Sequence, residues 1–234
     1  MRRLLAERSA RGRGASYVLA VLAIVAAVWA LYAFFPRRPD ATVELRLPLP
    51  AGDVEEPAQL HVWPEMPLRV TGEHHTDLST VELELDGQLL GRAQVDAEGS
   101  FRAAVRVPRG LSPGRRAFVC RDRGSGNVTA REEVLVEDAS EPGLAMQPET
   151  VRAGGRIAVT GGGFPGGIVL TLLLDDEDPT TTRTVGRVRT RPNGLVFARI
   201  AVPADVPEGD HRVTAVTRAG RPIGRPGTFE LTGG

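Results

Sequence analysis

Reactive side chains are few in this chain of 234 residues, which has four histidines, one cysteine and, since all 29 of its Lys and Arg residues are Arg, no lysine. The motifs His-Glu-x-x-His and Ser-x-x-Lys, which mark common metal sites and hydrolase nucleophiles, do not occur. Gly-x-Ser-x-Gly occurs once, at Gly110–Gly114, but no helical pattern follows it, as a nucleophile elbow requires. Without lysine and with scattered histidines, the groups available for general acid–base catalysis are sparse. We therefore predict no catalytic residue and no cofactor, and a protein that is not an enzyme.

Two clusters contain metal-binding residue types. His74 and His75 follow Glu73, but neighbouring residues of an extended chain point to opposite sides and make poor joint ligands. Asp175–Asp178 supplies four consecutive carboxylates, which suit Ca²⁺, yet it lacks the Asp-x-Asp-x-Asp-Gly loop pattern. We predict no metal site, and Ca²⁺ at the acidic loop stays open as the alternative.

A glycine-rich run spells Gly-x-Gly-x-x-Gly at Gly161, Gly163 and Gly166. A dinucleotide site needs a helix directly after such a run, because the helix N-terminus holds the pyrophosphate. Here Pro165 intervenes and an alternating, strand-like segment follows. The run therefore predicts a tight turn and no nucleotide.

The segment Tyr17–Phe35 contains no charged residue and, counted as 35 − 17 + 1, is 19 residues long. As a helix it would measure about 28 Å, close to the ~30 Å hydrocarbon core of a bilayer. Five arginines precede it and two follow, which predicts a basic cytoplasmic tail over residues 1–16 and an outward-facing remainder. The predicted interface anchors are Trp29, Tyr32, Phe34 and Phe35. The alternative is a signal peptide that is cleaved near Ala30.

The zero net charge is the sum of three unlike parts. Residues 1–39 carry 7 Arg and 1 acidic residue (+6), residues 40–138 carry 11 and 18 (−7), and residues 139–234 carry 11 and 10 (+1). The basic tail suits anionic lipid, whereas an acidic first half excludes nucleic acid as a partner. A single cysteine, Cys120, allows no internal disulfide, so the domains must be stabilised by their cores.

Beyond a connector at residues 36–57, in which Ala41–Leu47 alternates like a strand, the chain repeats itself. Val70-Thr71-Gly72 recurs 89 residues later, and Gly91-Arg92, Gly99 and Val107-Pro108 recur 95 residues later. We match the first strand of each copy, at Leu60 and at Leu144, with an offset of 84. These offsets predict two homologous domains, at 58–138 and 142–232, with loop insertions near Val151–Gly155 and in Asp176–Arg183.

Apolar residues within each copy recur with a period of two rather than 3.6. Val81, Leu83 and Leu85, for example, match Leu170, Leu172 and Leu174. About seven such short strands between Gly, Pro and Asp turns predict an all-β ectodomain of two tandem seven-stranded antiparallel sandwiches. In this alignment His75 matches Phe164 and Cys120 matches Ala215, which predicts that both fill packing positions.

The sequence Gly161-Gly162-Gly163-Phe164-Pro165-Gly166, followed by an alternating strand, Asn193-Gly194, Val202-Pro203 and Glu208-Gly209, resembles bacterial immunoglobulin-like repeats of the IPT/TIG type. The resemblance implies an immunoglobulin-like (Ig-like) fold and spacer, adhesive or accessory roles in surface proteins. It implies no catalytic residues.

Three outward positions that are polar in the first copy are apolar in the second. They are Glu84, Ser100 and Arg102, which become Leu173, Leu195 and Phe197. Apolar groups on an outer face mark interfaces, so these three residues form a candidate partner surface. Contact with the other domain is the open alternative.

The function these features favour is that of a non-enzymatic, single-pass membrane protein. Its N-terminus would be cytoplasmic and its two Ig-like domains periplasmic or extracellular, serving as a scaffold, spacer or docking module of a membrane complex. The expected partners are the bilayer, through Tyr17–Phe35, and a protein in or at the membrane. The alternative is an adhesive or ligand-binding surface protein, for example one that binds glycan.

Overall fold

A computed structural model describes residues 40–47, 59–175 and 182–233. This part of the chain is all β and, in chain order, contains sixteen strands: β1 Thr42–Arg46, β2 Leu60–Val62, β3 Pro67–Glu73, β4 Thr80–Leu85, β5 Gln88–Gln94, β6 Phe101–Arg106, β7 Gly114–Asp122, β8 Val128–Val136, β9 Gly143–Gln147, β10 Thr150–Arg152, β11 Arg156–Gly162, β12 Val169–Asp175, β13 Arg183–Arg189, β14 Val196–Ala201, β15 Gly209–Val216 and β16 Gly227–Thr232.

The strands form two sandwiches, each with a three-stranded and a five-stranded sheet. In the first sandwich the sheet orders are β1-β3-β6 and β2-β8-β7-β4-β5; in the second they are β9-β11-β14 and β10-β16-β15-β12-β13. Neighbouring strands are antiparallel except for β2 beside β8 and β10 beside β16, which are parallel. In each five-stranded sheet, the four strands after the parallel edge strand follow the G-F-C-C′ order of an immunoglobulin domain, so the strand order itself defines two tandem Ig-like sandwiches.

Alternation in the sequence explains the cores. In β4 and in β12 every second residue is buried, as expected when one sheet face is packed and the other is open. The inward leucines at 83, 85, 172 and 174 are at most 1% exposed. The two sandwiches also share a β-bulge. The register of β4 against β5 shifts after Leu83, and that of β12 against β13 shifts after Leu172, 89 residues later.

The repeat is confirmed for β3 to β8, but the offset of 84 for the first strand is wrong. Leu60–Val62 is β2, which lies beside the last strand of its sandwich, and its counterpart is β10 beside β16. Val62 pairs with Val136 and Val151 pairs with Leu231, so the offset is 89 and no insertion near Val151–Gly155 is required. Any alternating segment aligns with any other, and only the pairing partner distinguishes them.

The prediction of seven strands in each sandwich also needs correction, because the described residues form eight strands in each. The strand predicted in the connector is β1, which pairs with β3 just as β9 pairs with β11. The long insertion therefore lies between β1 and β2 of the first sandwich. In the second sandwich the equivalent strands, β9 and β10, are separated by only Pro148 and Glu149.

The residues described include no helix long and apolar enough to cross a membrane. Tyr17–Phe35 and the four predicted interface anchors, Trp29, Tyr32, Phe34 and Phe35, lie outside the described residues.

Candidate functional site: the junction and the outer sheet faces

The three-stranded sheets of the two sandwiches have different outer faces. In the first, β3 alternates between buried residues and exposed or half-buried ones, as a sheet with one open face does. In the second, β9 is buried throughout and β11 is buried after its first residue. Something therefore covers the outer face of the second sheet.

The first sandwich provides that cover. Ala145 of β9 and Leu195, just before β14, belong to the hydrophobic cluster of the first sandwich, and Phe197 packs against it. Trp63, which directly follows β2, is 1% exposed and lies on Gly162. A Cβ atom at Gly162 would overlap the indole ring, so only glycine permits this contact. The junction is thus an apolar contact built on the first core.

The glycine-rich run has a packing role in the structure. Gly161 lies against the backbone of Gly143, where a Cβ would come within 2.5 Å of the carbonyl oxygen. Gly163 has φ of 76° and lies beside the carbonyl of Glu141. The glycine-rich run therefore allows two groups to approach the end of β11 closely: the linker between the two sandwiches, at Glu141, and the indole ring of Trp63.

Charged groups border this apolar contact. His61 Nδ1 lies 2.7 Å from Glu137 Oε1, and Arg225 donates to the other oxygen of Glu137 over 2.8 Å. On the other side of the ring, His61 Nε2 lies 3.4 Å from Glu149 Oε1. The amide of Gln147, itself 2% exposed, donates to the carbonyl of His61 over 3.3 Å. These contacts join residues up to 88 positions apart across the two sandwiches.

Two pKa values shift at this border. Burial acts to lower the pKa of His61, but hydrogen bonds and charge from Glu137 and Glu149 outweigh it, so the pKa lies above 6.5. The hydrogen bond from His61, aided by Arg225, holds the pKa of Glu137 below its usual range despite burial. Both groups therefore favour their charged forms. A cleft of about 430 Å³ runs from this pair along β16, and Asp210 and Glu230 also line it.

The five-stranded sheets differ in the opposite sense. On the outer face of the first sandwich, Arg92 donates to Glu82 over 2.9 Å and Arg121 donates to Glu84 over 3.2 Å. Cross-strand neighbours on β5, β4 and β7 thus neutralise each other's charge.

The equivalent face of the second sandwich lacks these pairs. Arg187 faces Thr171 where Arg92 faces Glu82, and Leu173 and Val216 stand where Glu84 and Arg121 stand. Arg187 and Arg189 are exposed, and among the residues described neither has a hydrogen-bond or ion-pair partner. Val169, opposite Arg189, is 42% exposed. The result is an uncharged strip beside two unpaired arginines.

The three residues of the candidate partner surface fall on two different sheets. Leu195, 2% exposed, and Phe197 lie at the junction, where Phe197 also packs 4.4 Å beneath the guanidinium of Arg191. For these two the structure shows contact with the other sandwich, the alternative that the sequence left open. Leu173 lies on the outer five-stranded face. A role in binding an outside partner stays a prediction.

The other predicted sites separate in the structure. His74 is exposed, whereas His75 is 1% exposed, contacts Phe101 edge-on and places Nε2 3.1 Å from the carbonyl of Thr42. Its predicted packing position is confirmed, since Phe164 is 4% exposed at the equivalent site. Cys120 is fully buried, as predicted, and burial raises its pKa to about 12. Asp175 accepts a hydrogen bond from Thr214, and the rest of the acidic loop, 176–178, lies outside the described residues.

No group of three or more His, Cys, Asp or Glu side chains positioned for a metal occurs in the described ranges. Sequence reasoning missed the junction residues Trp63, His61 and Arg225. One signal was present, because Trp63 has no apolar counterpart in the second copy, where Arg152 stands at the offset of 89. Here the unmatched tryptophan makes a contact that has no equivalent in the second copy.

No known family model matches the chain, and no curated protein matches its sequence. Solved structures with related folds include the ectodomain of the teleost fish polymeric Ig receptor, with 11% identity and a TM-score of 0.42 over 82% of this chain and 97% of that one. The SGBP-B protein of the Bacteroides ovatus mixed-linkage glucan utilization locus, determined with a mixed-linkage heptasaccharide, has 18% identity and a TM-score of 0.38. The Escherichia coli adhesin FdeC has 15% identity and a TM-score of 0.33.

The alignment with SGBP-B covers 77% of this chain but 45% of that protein, and the alignment with FdeC covers 83% and 64%. At these identities and TM-scores the similarities carry no argument about function. The strand order therefore defines the class, tandem Ig-like β-sandwiches, and function has to be argued from the faces.

Proposed function

We propose that the chain is a non-enzymatic binding module, adhesive or ligand-binding, whose contact surface is the outer five-stranded face of the second sandwich. One observation carries the proposal: at the positions where the first sandwich pairs Arg92 with Glu82, the second leaves Arg187 facing Thr171. An uncharged centre flanked by arginine is the composition that binding interfaces favour.

A second candidate, a scaffold or docking subunit of a membrane complex, is favoured by the junction. Trp63 on Gly162, Leu195 in the first core and the His61–Glu137–Arg225 contacts hold the two sandwiches together. A module that sets a fixed distance needs such coupling. In both proposals Tyr17–Phe35 anchors the chain in the membrane and the sandwiches lie on the outer side.

The two candidates differ in what the solubilised full-length chain retains. Retention on envelope polysaccharide of the source organism supports the first, and co-purification of a membrane protein in fixed ratio supports the second. The double variant Thr171→Glu/Leu173→Glu should abolish both retention on polysaccharide and co-purification of a membrane protein. The two new carboxylates make the uncharged strip charged, and the one at position 171 gives Arg187 an ion-pair partner within the chain.

Glu82→Thr, the reverse change in the first sandwich, is the matched control and should leave retention unchanged. If the folded Thr171→Glu/Leu173→Glu variant retains its ligand as well as wild type does, the assignment of this face is wrong.

A further inference from the structure

The occupant of the outer face can be argued further, on the basis of the proposed function. We propose that this face binds a second copy of the chain, packed face to face about a two-fold axis that passes near Leu173 and Thr214.

An acidic pair at one end of the face lacks a counter-ion. Asp210 of β15 and Glu230 of β16 are direct cross-strand neighbours, and both are exposed. Like charges placed directly opposite each other destabilise a sheet. In the part of the chain that the structure describes, neither carboxylate has a hydrogen bond or ion pair.

A basic pair lies at the diagonally opposite end. Arg187 and Arg189 lie two residues apart on the edge strand β13, so they project from the same face, roughly 6–7 Å apart along the strand. They too have no partner among the described residues. The face therefore carries two like-charge pairs of opposite sign, each unfavourable on its own.

The first sandwich shows that the fold does not require these pairs. At the positions equivalent to Asp210 and Glu230, 95 residues earlier, stand Arg115 and Leu135, and Arg115 pairs with Glu133. At the positions equivalent to Arg187 and Arg189 stand Arg92, paired with Glu82, and Gln94, bonded to Thr80. At these four positions, uncompensated charge is found only in the second sandwich.

Sheet geometry makes the two pairs complementary across a two-fold axis. Arg187 lies one strand to one side of Leu173, while Asp210 lies one strand to the other side and roughly 20 Å from Arg187, given the usual strand spacing and rise. A second copy rotated by 180° about an in-plane axis between them places its basic pair over the acidic pair of the first, and the reverse. Such a contact is isologous and closes as a dimer.

The middle of the face suits this contact. Thr171, Leu173, Thr214 and Val216 contribute no charge. Between them and the acidic pair lies a row in which Asp175 stands opposite Arg212, a residue of opposite charge. The first sandwich packs on the opposite, three-stranded sheet. The centre of this face is therefore not covered by the junction, and its acidic end borders the cleft that starts at His61.

Sedimentation equilibrium of the full chain in density-matched detergent tests the proposal. Wild type should dimerise at micromolar concentration, and the dimer should weaken as salt rises from about 0.05 M to about 0.5 M. Arg187→Glu/Arg189→Glu alone and Asp210→Arg/Glu230→Arg alone should each weaken it about 10- to 100-fold, because every ion pair becomes a repulsion. Mixing the two variants should restore a heterodimer.

The matched control is Arg69→Glu/Arg131→Glu, the same charge change on the first sandwich, and it should leave the dimer unchanged. A wild-type chain that stays monomeric overturns the proposal. If Thr171→Glu/Leu173→Glu still abolishes retention on polysaccharide or membrane protein in that monomer, the proposed function stands. If the Thr171→Glu/Leu173→Glu variant of that monomer is retained as well as wild type, both the proposed function of this face and the proposed dimer are wrong. Dimerisation that is unaffected by the charge reversals also contradicts the two-fold contact.

Discussion

The two sandwiches share one strand order but have opposite surfaces. The first exposes its three-stranded sheet and covers its five-stranded face with ion pairs, whereas the second buries its three-stranded sheet at the junction and leaves the centre of its five-stranded face uncharged. Because the fold is held constant between the copies, these differences reflect contacts rather than folding. The second sandwich contacts the first through its three-stranded sheet, and a contact on its five-stranded face is what we propose.

The largest effect should come from the residue with no equivalent. Trp63→Ala removes a buried indole between the first core and Gly162, so we expect a loss of about 3–5 kcal/mol in the free energy of unfolding. Arg152→Ala, at the exposed equivalent position, should change stability by less than about 0.5 kcal/mol. Urea denaturation of the two variants measures the change in the free energy of unfolding that each causes. Equal changes for Trp63→Ala and Arg152→Ala would contradict a junction contact made only by Trp63.

A smaller, pH-dependent effect should distinguish His75 from Phe164. Burial, the main cause, and nearby His74 hold the pKa of His75 below 6.5 even though the Thr42 carbonyl opposes the shift. The unfolded chain therefore binds a proton more readily, and stability falls as the pH drops below 6.5. His75→Phe introduces the phenylalanine that the second sandwich has at the equivalent position, Phe164. It should remove the loss of stability at low pH, and it also removes the buried Nδ1 atom that has no hydrogen-bond partner.

The check is the melting temperature at pH 8 and at pH 5. The melting temperature of wild type should fall more between pH 8 and pH 5 than that of His75→Phe. An equal fall in both proteins would rule out His75 as the cause of the pH dependence.

The border of the junction should respond with the opposite sign. The pKa of His61 is raised, so its contribution is complete below pH 6.5 and is lost as the pH rises through the folded-state value. The pKa of Glu137 is lowered, so its contribution is present above pH 4.5 and is lost as the pH falls through its folded-state value. The pair should stabilise the junction most between pH 4.5 and 6.5.

His61→Gln should accordingly lower the melting temperature more at pH 5.5 than at pH 8.5. Arg131→Gln, at an exposed site on β8, is the control, and it should show no such dependence. A deficit that grows with rising pH would contradict the assignment.

The smallest effect is expected at Cys120. Cys120→Ala introduces the residue found at the equivalent Ala215, and it should cost about 1 kcal/mol for the small cavity it leaves. With a pKa of about 12, the buried thiol should not react with a disulfide reagent in the native state at pH 8. Rapid labelling of folded protein would show that the thiol is accessible.

The sequence was sufficient for whatever depends on periodicity within one copy. Alternation and the offsets of 89 and 95 located β3 to β8 and their counterparts, and alignment placed His75 and Cys120 in the cores. It failed for β2, because a three-residue alternating strand carries no mark of whether it pairs with β3 or β8. Only tertiary packing decides that.

The candidate site could be predicted only in part, for a related reason. The changes to Leu173, Leu195 and Phe197 were visible as departures from the repeat, but the sheet on which each one lies was not. The junction contacts of His61, Glu137 and Arg225 join distant positions of the chain. No local pattern brings such residues together.

The central claim, that Trp63 and its neighbours couple the two sandwiches, can be tested by one distance measurement. Spin labels on Arg131→Cys and Arg156→Cys, at exposed sites on different sandwiches, avoid the buried Cys120. Electron–electron double resonance on labelled chain diluted in an excess of unlabelled chain should give one narrow distance distribution. Adding Gly162→Val, which forces Trp63 off β11, should broaden it. A wild-type distribution as broad as that of the Gly162→Val variant would contradict the account.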